Sequence, residues 1–161
     1  MSNLTYCEIS GDLHWTKPKG RRNLKKPVGT LHSSGYLIFS VGLDSKLYSL
    51  RVHRVIFFLK EGRWPSKFID HKNGNRADNR WCNLREANDS QNSRNSSMPS
   101  NNKSGYKGVS WQKDKKKWVV RFHTESSYKF LGYFTCPTVA AMQYDRFARL
   151  HYKEFARLNF P

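Results

Sequence analysis

The sequence predicts an α+β protein made of two small, basic units, and three observations carry that expectation. Runs of β-branched and aromatic residues bounded by Gly, Asn and Asp recur along the chain, as short strands between turns do. Two segments, 51–62 and 136–152, instead repeat their apolar residues at helical spacing. Between the halves lies SRNSSMPSNNKSG (93–105), rich in Ser and Asn and nearly devoid of apolar side chains, which marks a linker. The expected order is an N-terminal antiparallel sheet with a helix and a strand–strand–helix module, the linker, then a three-stranded antiparallel sheet packed on one helix. The boundaries fall at 1–95, 96–104 and 105–161.

Residues 1–27 include the basic stretch WTKPKGRRNLKKP, which lacks clear periodicity and is either an arm tracking phosphates or a solvated loop. VGTLHS (28–33), YLIFSV (36–41) and KLYSL (46–50), with turns at Ser34-Gly35 and Gly42-Leu43-Asp44, form an antiparallel meander. In RVHRVIFFLKEG (51–62), Val52, Val55, Ile56 and Leu59 share one helical face and Gly62 ends the helix. Phe68 and Ile69 lead as a strand into Asp70-His71. Asn73-Gly74-Asn75 is turn chemistry, because Asn and Gly tolerate positive φ. Trp81 to Arg85 returns as the second strand of a ribbon, and Asn88 with Gln91 forms a capping pair that puts Asn92 in a first helical turn.

Composition narrows the partner. Lys and Arg number 29 against 12 acidic residues, a formal charge of +17. Residues 1–98 carry 17 basic and 8 acidic groups and residues 99–161 carry 12 and 4, so no single basic tail supplies the excess. Folded-looking sequence with this charge points to nucleic acid rather than a small-molecule substrate. Cys7, Cys82 and Cys136 show no metal-binding spacing and no disulfide framework, which fits a reducing cytoplasm. The longest strongly apolar run, Val55 to Leu59, is far too short for a bilayer, so no membrane role is expected.

The segment FIDHKNGNRADNRWCNLREANDSQNSRN (68–95) concentrates the chemistry. The carboxylate of Asp70 and the amide of Asn92 are hard oxygen donors suited to Mg²⁺ or Mn²⁺, and two protein donors leave positions for water and phosphate oxygens. His71 is a base whose ordinary pKa lies near neutrality. Asn83 is an amide able to hold the His71 ring. These are the parts of a phosphodiester hydrolase.

With its DH, NGN, DNR, NLR and QN elements in order, the segment resembles the HNH (ββα-metal) endonucleases, in particular the phage-type homing branch, over roughly residues 30–95. The resemblance implies that Asp70 and Asn92 hold the metal, His71 is the general base and Asn83 is the central Asn. Asn92 stands where the superfamily's final His would, a variant of the homing branch that favours one hard cation over zinc. It also implies that Asp78 and Asn79 brace the loop and that Arg80 touches phosphate. His53, in the preceding helix, is assigned to packing or to a bond with the ribbon.

Downstream, YKGVSWQ (106–112), KWVVRFH (117–123) and KFLGYF (129–134) read as three strands. The helix over 136–152 has Pro137 in its first turn and a stripe of Ala140, Ala141, Tyr144, Phe147, Ala148 and His151. Alternation turns Trp118, Val120 and Phe122 toward the helix, with Val109 and Leu131, and turns Arg121, His123, Ser110 and Gln112 outward. Trp111 stacks on sugar, packs inside or anchors an edge. Lys113 to Lys117 form a basic hairpin gripping phosphate or a solvated turn.

Residues 104–161, with AAMQYD and the terminal ARLNFP, are similar to the apetala/ethylene-response-factor DNA-binding domain. That resemblance implies a sheet docked in the major groove, with Lys107, Tyr128 and Phe130 at further contact positions. The plant domains carry arginines at several places where this chain has Lys107, Ser110, Gln112, His123 and Tyr128, so the docking mode transfers and the target sequence does not.

The expected function is a site-specific, homing-type endonuclease on double-stranded DNA, nicking one strand per active site in a phage-infected bacterial cell. A 13-residue linker spans roughly 20 Å at ~5–6 Å × √n. One chain can therefore read a long asymmetric site; a monomer suffices and a dimer is compatible. Removing residues 100–161 is expected to weaken binding more than chemistry. The alternative is a DNA-binding regulatory or architectural protein with an inactive nuclease fold. An RNA-binding or structural role ranks third, because the aromatic positions lack an RNP-type pattern.

Overall fold

The computed structural model of the chain describes residues 3–17, 23–99, 101–124 and 127–161. Residues 18–22 of the basic N-terminal stretch lie outside the described residues. The chain is mixed α+β and divides into two compact units, Met1–Asn88 and Asp89–Pro161.

The first unit begins with a hairpin that leads into the basic stretch and for which the sequence offers no expectation, β1 (Leu4–Cys7) and β2 (Asp12–Trp15). Its register pairs Leu4 with Trp15 and Tyr6 with Leu13, so four apolar side chains share the face laid on the core. A three-stranded antiparallel sheet follows, in the order β3 (Thr30–Leu31), β4 (Leu37–Leu43), β5 (Lys46–Arg51). Helix α1 (Val52–Glu61) buries Val52, Val55 and Ile56 against Leu13, Ile69 and Leu84. Gly62, at φ 69°, ends α1 in the left-handed conformation and donates its N–H to Phe58 O.

The ribbon consists of β6 (Phe68–His71) and β7 (Leu84–Ala87), antiparallel. Its second strand starts later than the sequence reading placed it. Trp81–Asn83 instead form a 3₁₀ turn, closed by Asn83 N–H on Arg80 O, which brings Asn83 O to the Lys72 N–H at 2.9 Å.

In the second unit, α2 (Asp89–Arg94) is followed by β8 (Val109–Gln112), β9 (Lys117–His123), β10 (Tyr128–Phe134) and α3 (Pro137–Tyr152). The sheet order is β10-β9-β8, all antiparallel, and Val109, Val120 and Phe122 pack on Ala140, Ala141, Tyr144 and Ala148 of α3. Of the expected α3 stripe, His151 is exposed and Tyr152 takes the buried position beside Phe122. The first strand starts three residues later than expected, because Gly105 and Gly108 both take positive φ ahead of it.

The terminal motifs hold one another. The buried Asp145 carboxylate accepts the N–H groups of Asn159 and Phe160 at 2.8–2.9 Å and the Asn159 amide at 2.9 Å. Asn159 in turn brackets the Lys107 backbone, accepting its N–H at 2.7 Å and donating to its carbonyl at 3.2 Å.

Candidate nuclease site and nucleic-acid interface

Asp70 and His71 are neighbours at the buried end of β6, 6% and 3% exposed. Antiparallel register sets Arg85 directly opposite Asp70. Its Nε and Nη2 both donate to Asp70 Oδ2, at 2.9 and 2.8 Å, so a partly buried guanidinium grips one oxygen of a buried carboxylate. A hard cation on this carboxylate would share it with that guanidinium.

The His71 ring is held from the loop that joins the ribbon strands. Nε2 lies 3.0 Å from Asn79 Oδ1, the His53 ring stands edge-on at 5.1 Å, and Tyr36 lies at 5.9 Å. Because Oδ1 only accepts, the proton of the neutral ring is on Nε2 and the lone pair is on Nδ1. Burial holds the His71 pKa below the ordinary imidazole range, against the opposing pull of the Asn79 bond.

The ring-fixing bond was expected from Asn83, and the structure gives it to Asn79. Asn83 instead staples the loop: Oδ1 accepts from Asn73 N–H at 3.0 Å and Nδ2 donates to Asp78 O at 2.8 Å. Asx turns stiffen the interval, with Asn73 Oδ1 on Asn75 N–H and Asn75 Oδ1 on Ala77 N–H. Gly74, at φ 73°, makes the reversal after His71. Asp78 takes both Asn73 Nδ2 and a bidentate grip from Arg80, and that grip drives its carboxyl down to about 2. Arg80 is half-exposed, so its outer face still reaches solvent.

Sequence reasoning missed the support behind Asn79. The β1–β2 turn presses on the loop where a Cβ on Gly11 would stand 2.6 Å from Arg80 N, and Tyr6 Oη donates to Asn79 O at 3.1 Å. Arg76 ties the other side, donating to Ser34 O at 2.9 Å with its guanidinium over the Tyr36 ring. The available signal was Gly11 between two alternating apolar runs.

Asn92 lies on α2 and therefore belongs to the second unit. Among the described residues no three His, Cys, Asp or Glu side chains gather around one point, and the nominated donors are one carboxylate and one carboxamide. Carboxylate and carboxamide oxygens are donor types that suit Mg²⁺ or Mn²⁺ better than a soft metal.

In the second unit the strand register gathers most of the expected contact residues on the sheet face away from α3. Ser110, Gln112, Arg121, His123, Tyr128 and Phe130 share it, with Tyr128 73% and Phe130 57% exposed. Tyr133, overlooked in the sequence, joins them with its ring 4.9 Å from Phe130. A bulge between Phe130 and Gly132 resets the alternation, and a Gly inside a strand was the available sign. Trp111 sits on the helix-side face, edge-on to Trp118 at 5.0 Å. Lys107 does not join the outer face: its ammonium donates to Arg94 O and Ser96 O, at 2.6 and 2.7 Å.

These features define a strand–loop–strand site that pairs a carboxylate with a buried imidazole, set in a basic chain. Residues 50–94 match the family model described as HNH endonuclease, from the end of β5 through the last residue of α2. The match supports an HNH nuclease module, a family that implies DNA as substrate and generally uses a divalent metal. No curated protein and no solved structure matches the chain. No helix of the described residues is long and apolar enough to cross a membrane.

Proposed function

We propose that the chain is a site-specific, homing-type DNA endonuclease of phage type, acting in the cytoplasm of an infected bacterial cell and nicking one strand of duplex DNA per active site. The observation that carries the reading is the Asp70-His71 pair at the end of β6, inside the segment that matches the HNH endonuclease model.

Asp70 and Asn92 would hold Mg²⁺ or Mn²⁺, which supplies charge neutralisation at the scissile phosphate and at the departing 3′ oxygen. His71 is neutral at pH 7, because burial lowers its pKa. Held by Asn79, the neutral ring is the group that takes a proton from the attacking water. Asn79 and Asn83 act through the loop, one on the ring and the other on the turn that carries it. Arg80 bears on the DNA backbone near the cut. The second unit, an apetala/ethylene-response-factor-like module, reads the duplex with Ser110, Gln112, Arg121, His123, Tyr128, Phe130 and the added Tyr133. One chain suffices for this.

Replacing His71 by Ala is expected to lower nicking of supercoiled plasmid in Mg²⁺ or Mn²⁺ by about 10²- to 10⁴-fold. Affinity for the same DNA in gel shifts should stay largely unchanged; undiminished nicking would overturn the assignment. The 3% exposure of His71 is the observation favouring a second reading, a DNA-binding regulatory or architectural protein with an inactive fold. Plasmid nicking that appears with the metal and vanishes with chelator decides for the enzyme, and intact plasmid under both conditions decides for the binder.

A further inference from the structure

Helix α2 belongs to two things at once. The family match runs through its last residue, yet its packing places it in the DNA-reading unit. A chain of bonds fastens it there. Asp145, buried on α3, grips Asn159, and Asn159 grips both backbone groups of Lys107. The Lys107 ammonium then meets the carbonyl oxygens of Arg94 and Ser96 at the C-terminal end of α2, where carbonyls lack helical partners and favour a cation. The Arg94 guanidinium lies over the Tyr152 ring, 4.8 Å from its centroid. Beside this clamp a cleft of about 490 Å³ is lined by Asp89, Ser90 and Ser93 of α2 and by Arg121, His123 and Tyr128 of the sheet. Helix and reading face thus form one body.

From this geometry we propose that Lys107 and Arg94 are positioning residues, which fix the metal donor Asn92 to the DNA-reading unit rather than contacting DNA themselves. The inference rests on the nuclease reading only for the role of Asn92; the clamp itself stands on the bonds above. Lys107 is a half-buried cation held by the two carbonyls; partial burial, followed by nearby Arg157, lowers its pKa to about 8, so the ammonium remains the main form at pH 7. The metal donor Asn92 is thereby held within the same unit as the reading face.

The test compares the full-length protein with Lys107→Met, Lys107→Arg and Arg94→Leu. Three quantities are read: amide hydrogen exchange over residues 89–96 without metal, the Mn²⁺ concentration for half-maximal nicking, and metal-free DNA affinity across a salt series. Lys107→Met is expected to speed exchange over 89–96 and to raise the Mn²⁺ requirement about tenfold, with affinity and salt slope unchanged. Lys107→Arg should restore both, and Arg94→Leu should move both the same way by less, giving a second handle if the Met variant misfolds. The proposal is overturned if exchange is unaltered. It is equally overturned if Lys107→Met weakens DNA affinity and makes the salt slope shallower by roughly 0.9, the signature of one neutralised phosphate, while its Mn²⁺ requirement stays put. Should the unmodified protein nick with neither Mg²⁺ nor Mn²⁺, the nuclease reading falls, and the exchange comparison alone decides the clamp.

Discussion

His53 sits in the first turn of α1 with its ring 3% exposed, between Tyr36 at 5.0 Å and His71 at 5.1 Å. Its Nδ1 is buried and has no hydrogen-bond partner among the described residues. Burial lowers the imidazole to about 3, and His71, Arg51 and Arg54 push the same way. An unfolded histidine titrates near 6.5, so between about 3 and 6.5 the unfolded chain binds a proton that the fold refuses. Stability therefore rises with pH across that window; the contribution is complete above 6.5 and is lost as pH falls toward 3. Urea unfolding should weaken from pH 7 to 4, with His53 contributing up to ~1.4 kcal/mol per pH unit. His53→Leu should flatten that slope yet stay within about 1.5 kcal/mol of the native chain at pH 7, because Leu strands no polar atom. An unchanged slope would show that the ring does not titrate as argued. The same neighbourhood marks how far the site was legible. Asp70 and His71 stand out because their chemistry resides in residue type. Which asparagine meets the ring depends on how Asx turns close the loop, and residue type does not say that Asn79 arrives at Nε2 while Asn83 turns to Asn73 and Asp78.

The entry to β8 depends on two glycines with nearly the same backbone and opposite surroundings. Gly105 (φ 75°) has nothing within 4 Å of where a Cβ would stand, whereas at Gly108 (φ 78°) that Cβ would lie 2.0 Å from Tyr144 Cδ2. Gly105→Ala should cost only the left-handed penalty of about 1–2 kcal/mol. Gly108→Ala must also displace a packed ring of α3 and should cost about 2–4 kcal/mol. Thermal unfolding of the two variants checks this, and equal losses would mean that Tyr144 yields easily. Elements were legible where periodicity was strong and uninterrupted. α1 ends at Gly62 as its pattern predicts, and α3 opens at Pro137. The β1–β2 hairpin was hidden because each strand is only four residues long and a basic run follows it. The late start of β7 was hidden too, since the 3₁₀ turn at Trp81–Asn83 is made by two local backbone bonds, Asn83 N–H on Arg80 O and Leu84 N–H on Trp81 O, and leaves no compositional trace.

For the whole molecule, the Ser- and Asn-rich run at 93–105 is what points to a two-part plan, and the charge carried on both sides of residue 98 shows that both parts are basic. Membership of α2 was not legible, because Lys107 looks like any other basic residue until its ammonium is seen on Arg94 and Ser96. Two kinds of lysine follow, and solution behaviour should separate them. Lys113, Lys115 and Lys116 lie exposed in the β8–β9 turn, which closes by Lys116 N–H on Lys113 O. Spread there, they are placed to meet a polyanion and do nothing for the core. Replacing all three with Gln removes positive charge without touching α2, its clamp or the ribbon. Log affinity against log salt should then become shallower by roughly 0.9 for each phosphate no longer neutralised. The nicking rate at saturating DNA and the Mn²⁺ requirement should hold, the reverse of the pattern expected for Lys107→Met. A full-strength salt slope in the triple variant would make the turn a solvated one and move the phosphate-binding groups elsewhere. Loss of nicking at saturation would instead show that this hairpin bears on the chemistry, and the division between anchoring and phosphate-binding lysines would fail with it.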